Sequence, residues 1–258
     1  MLTFRRGYSM AVLTYPDRAE TKMADYRMLE KQITEALGLN RRPVAVTFAR
    51  HAPASVRKFS GTEPAGCSFW RLAERGNVFY TEPGDHYNCA VGCFTHSIAL
   101  PAERASEMDQ TLAFMMQLGY IKPEDLTQIA QLRETPRFMV YAPLGETPVA
   151  PDVVLFAGKP SAMMLLNEAA LRAGVGTQSA TLGRPTCMAL PAALDHGVAL
   201  STGCVGNRVY TEIGDDELYV AVRGADVERV AAEAGTIASA NARLADYHRG
   251  RQQQLCTK

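Results

Sequence analysis

The chain has 258 residues, enough for one large core or two small ones packed together. With 47% apolar residues, 21% charged residues and a formal net charge of zero, its composition is globular and carries no bias toward nucleic acid or anionic lipid. Arg, Asp and Pro interrupt every hydrophobic run before the roughly 18 to 20 apolar residues that a membrane span needs, so neither nucleic acid nor a membrane is an expected partner.

Residues 1–22 hold two early arginines and a short apolar patch, Met10 to Leu13, too short for the core of an export signal. They read as a loosely ordered tail ahead of a single α/β domain over 23–258. From Ala24 to Leu37 the apolar spacing is helical (Tyr26, Leu29, Ile33, Leu37), and Gly38 supplies a stop. Pro43 to Ala49 is continuously apolar and predicts a strand buried on both faces. Then come Cys67, a helix-like run from Ser68 to Arg75, Gly76, a strand-like Asn77 to Tyr80, and Cys89 followed by Gly92. Ala105 to Leu118 predicts an amphipathic helix with Met108, Leu112, Met115 and Met116 on one side, and Pro123 to Leu132 a second. Phe138 to Tyr141 is another apolar strand.

Pro151 to Ala157 repeats the Pro, Val, Phe and Ala of the first strand at the same places. A helix over Ser161 to Ala173 ends at Gly174-Val175-Gly176, where Thr177, Gln178 and Ser179 add donors suited to an anion, although helix-ending glycines are the plainer reading. Cys187, a helix-like Met188 to His196, Gly197, the strand-like Val198 to Ser201, Cys204 and Gly206 follow. Leu218 to Val222 is a last strand, and 225–249 a long helix whose stripe of Val227, Val230, Ala234, Ile237 and Leu244 should face the core.

The order strand, Cys, short helix, Gly, strand, Cys, Gly thus occurs twice, over about 43–100 and 151–222. Connections are short and no linker separates the two stretches. The expected architecture is α/β with a mixed sheet, built from two pseudo-symmetric halves in one compact unit, with equivalent cysteine loops meeting near the shared axis.

Six cysteines without an export signal predict free thiols or metal ligands in a reducing, cytoplasmic compartment. Cys89, Cys93 and His96 form a C-x3-C-x2-H run able to gather round one metal, or to pair Cys93 as a reactive thiol with His96 as its base. Each cysteine alone is as well explained as a small buried hydrophobe, and His96 as a structural residue. Thiolates suit zinc, copper(I) and iron–sulfur clusters, and the absence of paired C-x2-C motifs turns the expectation from structural zinc toward a cluster or another redox cofactor. In Ser201 to Arg208, small residues, a thiol, an amide and a guanidinium share eight positions, so Gly92, Gly206, Asn207 and Arg208 are expected to hold a small anionic molecule. Arg208 could equally pair with Glu212, Asp215, Asp216 or Glu217.

The Pro-Val-Ala-Val strand, Gly-Cys67 before a short helix, a second Cys-x-x-Gly, and the late Gly-Arg-Pro-Thr-Cys187 and Gly-Cys204-Val-Gly-Asn-Arg blocks resemble the ArCR family, domain of unknown function 169. The similarity runs from about Met23 to Val222. It implies a cytosolic single-domain protein whose shared cysteines fall on Cys67, Cys89, Cys187 and Cys204; it carries Cys93 and His96 less firmly, and it brings no assigned activity. The resulting expectation is a protein with Cys67, Cys89, Cys187 and Cys204 as ligands to an iron–sulfur cluster or similar cofactor, for which oxidoreductase activity would fit and a redox partner would follow. A cysteine-nucleophile enzyme and a small-ligand binding or sensing module with passive thiols are the alternatives. The Met-rich helix makes a homodimer a mild expectation.

Overall fold

The computed structural model describes residues 24–176 and 185–256. The first helix, α1 (Tyr26–Leu37), starts where the Asp25 carboxylate accepts the Met28 amide at 3.0 Å. It ends at Gly38, whose φ of 62° is the left-handed conformation that closes a helix. Leu29, Ile33 and Leu37 recur at four-residue spacing and are its buried face.

Six strands follow: β1 (Val44–Ala49), β2 (Phe79–Thr81), β3 (Phe138–Pro143), β4 (Val153–Gly158), β5 (Val198–Ser201) and β6 (Leu218–Arg223). They form one sheet in the order β2-β3-β1-β4-β6-β5. Every pairing in it is antiparallel, which corrects the expected mixed sheet. Interleaved helices and strands do not by themselves set strand direction. Here α7 (Val205–Thr211) joins β5 to β6 as antiparallel neighbours.

The sheet is covered on both faces, as its unbroken apolar strands require. Val44, Val46 and Phe48 of β1, Val153 and Leu155 of β4, and Tyr219 and Ala221 of β6 point into one core. There they meet Phe69 and Trp70 of α2 (Ser68–Glu74) and Leu190 and Ala193 of α6 (Ala189–His196). The alternate residues Ala45, Val154, Phe156, Val220 and Val222 enter the second core. This one is filled by α1, α5 (Pro160–Arg172) and the first turns of α8 (Val227–Cys256). On the first face lie also α3 (Ala90–Thr95) and α7, the latter tied down by a 3.0 Å bond between Thr211 Oγ1 and the Tyr219 hydroxyl.

Gly197 ends α6 with φ 92°, and a Cβ there would stand 2.9 Å from the Gly176 carbonyl oxygen, so the chain passes Val175 and Gly176 as only glycine allows. Arg41 links three segments. It bonds Glu74 at 2.9 Å and Glu217 at 2.8 Å, and donates to the Glu212 carbonyl, so it is a brace rather than free surface charge.

Three expectations about helices change. Pro123 to Leu132 contains a short 3-10 helix, Pro123–Gln128, and not an α-helix. The Met-bearing helix α4 (Glu107–Gln117) buries no residue fully. In α8, Val227, Val230 and Ala234 are buried as expected, but Leu244 is 57% exposed, because the helix runs past the end of the sheet that its first turns cover. The expected tail over 1–22, and Thr177, Gln178 and Ser179, lie outside the described residues. Among those residues no helix is long and apolar enough to cross a membrane.

Candidate functional site

Four cysteines stand at or beside the starts of four short helices. Cys67 caps α2, Cys89 caps α3, Cys204 caps α7, and Cys187 lies in the turn Thr186–Met188 that leads into α6. All four line a single cavity of about 310 Å³. Its remaining wall comes from Met108, Leu112 and Met115 of α4 and from Ile121, Leu126 and Ile129 around the 3-10 helix. Three residues of the amphipathic stripe on α4 therefore line this cavity.

The lining is apolar apart from the thiols and a few polar groups: Asn88, Thr111, Tyr120, Asp125, Thr186, Asn207 and Tyr210. No Arg, Lys or His is among the described lining residues. Burial pushes the Cys67 thiol up to about 12; Asn207 beside it pulls the other way, while Cys89 and Cys204 add to the rise. Cys187 is pushed well above the ordinary thiol range by burial and then by Cys89, and Cys89 is raised by burial against the pull of the Gly92 amide. Five cysteines, Cys67, Cys89, Cys93, Cys187 and Cys204, are free. Among the described residues no group of three or more His, Cys, Asp or Glu is arranged to hold a metal ion. The four thiols share a chamber without closing into a clamp.

Backbone and side chains fix the thiol turns. The Gly92 amide donates to Cys89 Sγ at 3.3 Å, and the Cys204 amide donates to Thr186 Oγ1 at 2.5 Å, joining two cysteine segments directly. Asn207, 1% exposed, lies near the Cys67 thiol and the Tyr219 hydroxyl and lowers the pKa of both, yet neither its Nδ2 nor its Oδ1 has a hydrogen-bond partner in bonding geometry.

The C-x3-C-x2-H run divides. Cys89 faces the chamber, whereas Cys93 is buried and donates to the His86 carbonyl at 3.2 Å, and burial pushes its thiol up to about 12. His96 is turned inward, its Nδ1 2.8 Å from the Gly92 carbonyl, among Phe48 and His86 rings. Cys93 and His96 thus make separate contacts and do not form a thiol–base pair. Arg208 is also spent elsewhere. Its Nη1 donates to the Gly214 carbonyl at 2.8 Å, and its Nη2 to those of Thr202 and Glu217, so it fastens the loop before β6. Gly92 and Gly206 both line the chamber.

Sequence reasoning passed over His86, which is fully interior, 2.8 Å from Thr81 Oγ1 and edge-on to Phe69. Burial first, and then His96, holds it well below the ordinary imidazole range. No spacing in the sequence marks it. Thr186 was equally unmarked, although its place directly before Cys187 is the one signal available.

A family model described as uncharacterised ArCR, domain of unknown function 169, matches residues 32–233. No curated protein matches, and no solved structure does.

Proposed function

The chain belongs to the uncharacterised ArCR family, whose description carries no activity, and from that premise we propose that it binds a thiolate-ligated cofactor, an iron–sulfur cluster before others, between Cys67, Cys89, Cys187 and Cys204. One observation carries the reading: four thiols from four separate chain segments, each at or beside the start of a short helix, line one apolar chamber. Thiols that burial and their neighbours keep protonated are released as thiolates when a cation arrives to balance them. A single tetrahedral ion would draw its thiolates to within about 4 Å of one another, given metal–sulfur bonds of about 2.3 Å. A multi-iron cluster spreads its ligands wider. When bound, such a cluster supplies one-electron chemistry. The chain's own contribution is to hold the Cys89 turn through the Gly92 amide, to lock Cys204 to Thr186, and to line the space beside the thiols with apolar side chains of α4. Oxidoreductase activity and a reducing, cytoplasmic setting fit this reading.

We read the architecture as two copies of one unit. In support, β2-β3-β1 and β4-β6-β5 are arranged as mirror orders about the β1–β4 pair, with Cys67 and Cys89 following β1 and Cys187 and Cys204 following β4 in sequence. The cysteine-nucleophile reading draws no support from Cys93 and His96, whose side chains have other partners.

Metal and acid-labile sulfide analysis, with an absorption spectrum, of protein purified without oxygen tests the proposal. Iron, sulfide and broad visible absorption, lost in Cys67→Ser and Cys204→Ser, are expected. A colourless, metal-free protein that is fully folded would sink the cofactor and leave a pocket with passive thiols.

A further inference from the structure

The outer length of α8 is a helix that the rest of the described chain does not cover. From Ala242 to Leu255 no side chain is buried, and Leu244, Tyr247 and Leu255 are each more than half exposed. Ile237, Ala240, Leu244 and Tyr247 recur at spacings of three and four residues, and Leu255 falls on the same side, so the apolar residues make one seam along about 27 Å of helix. A free helix of about 15 residues is marginal in water, and Gly250 lowers its propensity further, so the segment calls for a covering partner.

The helix α4 has the complementary character. It buries no residue fully, and Phe114 and Leu118, one turn apart, are both more than half exposed. Residues 102–117 carry Glu103, Glu107 and Asp109 against Arg104, whereas residues 242–256 carry Arg243, Arg249 and Arg251 against Asp246. Arg251 lies within the α8 seam, four residues from both Tyr247 and Leu255, and Glu107 stands two turns ahead of Phe114 on its side of α4. Two α8 ends laid together set arginine against arginine, and two α4 helices set carboxylate against carboxylate. The unlike pair joins apolar faces of opposite charge.

We propose that two copies of this chain pair reciprocally, the outer part of α8 in each lying on the Phe114–Leu118 side of α4 in the other. Phe114, Leu118, Leu244, Tyr247 and Leu255 each leave on the order of 100 Å² uncovered. Covering them on both copies removes about 1,000 Å² from water, the threshold for a specific interface, so a dimer of micromolar affinity follows. The inference rests on the outer surfaces of two helices and holds whatever the thiol chamber contains.

Sedimentation of the full chain over about 1–100 µM tests it. A concentration-dependent dimer that salt weakens is expected. Tyr247→Glu and Phe114→Glu, both at exposed positions, should each weaken it about tenfold or more, with melting temperatures unchanged. Mixing the two variants decides the pairing: the mixed pair keeps one unaltered α8–α4 contact and should associate more tightly than either variant with itself. A dimer that Phe114→Glu leaves intact is α8 on α8, and one that Tyr247→Glu leaves intact is α4 on α4; either overturns the inference, as does a mixture no tighter than its components. A monomer at every concentration also overturns it, and leaves residues 1–23 or a different protein to cover α8. The readout is mass, so the result stands apart from whether iron and sulfide are found.

Discussion

Replacing Asn207 with leucine should make the ligand-free protein more stable, the opposite of what most buried substitutions do. The side chain is 1% exposed, with neither amide atom bonded. Each unmatched polar atom costs about 1–3 kcal/mol of desolvation, and leucine, close to asparagine in shape, incurs none of it. The nearby Cys67 thiol and Tyr219 hydroxyl offset part of that cost, so the lower end applies: about 1 kcal/mol for each of two atoms, or about 2 kcal/mol in all. For a chain of this size that raises the melting temperature by about 4–8 °C. Trp70, the sole tryptophan, is buried edge-on to Tyr219 with ring centres 5.7 Å apart and reports unfolding close to the substitution. Urea unfolding of metal-free protein followed at Trp70 gives the comparison, with Asn207→Ala as a control that should gain less because it leaves a hole. If Asn207→Leu instead lowers stability, the amide is already satisfied by its neighbours in the folded protein and the reasoning fails.

Two further expectations concern pH in metal-free protein. Unfolded thiols ionise near pH 8.5, whereas Cys67 and Cys93 are pushed up to about 12 and Cys187 well above its ordinary range. Unfolding therefore releases protons above about pH 8.5, and stability falls as pH rises from there, by up to about 1.4 kcal/mol per pH unit for each thiol. Urea midpoints between pH 7.5 and 9.5 measure this; a flat profile, or a slope unchanged in Cys93→Ala, would count against it. On the acid side, His86 and His96 are held below the usual imidazole range by burial, so they stay neutral when folded and take up protons on unfolding. Their contribution is present above about pH 6.5 and is lost as pH falls below it, so the urea midpoint should drop between pH 7.5 and 5, and less so in His96→Gln. An unchanged midpoint would contradict neutral buried imidazoles.

Much of the fold was legible because local pattern and burial agree along the strands. The apolar runs at Val44, Phe138, Val153, Val198 and Leu218 all begin strands, and β5 spans the predicted residues without change. Strand direction was not legible, since it depends on where each connection returns rather than on any residue. The stripes on α4 and on the outer part of α8 show a different limit. A periodic apolar face states that a helix has two sides, but not whether a sheet, a chamber or solvent meets the apolar one. For the site, the four cysteines Cys67, Cys89, Cys187 and Cys204 were visible and do line one chamber. The roles of Arg208 and Cys93 were not, because carbonyl oxygens of Thr202, Gly214, Glu217 and His86 leave no mark in a sequence.

The sheet is narrow at its middle. β1 shares six residue pairs with β3 and β4 six with β6, but β1 and β4 share three, and beyond them the Asp152 carboxylate takes the Phe48 amide at 2.7 Å in place of a backbone rung. The chamber bridges that seam in chain terms, with two thiols drawn from the chain between β1 and β4 and two from the chain after β4. Anything gripped by all four would also act as a rivet: its binding free energy is added to the resistance of the seam to parting, at a ladder only three residue pairs long.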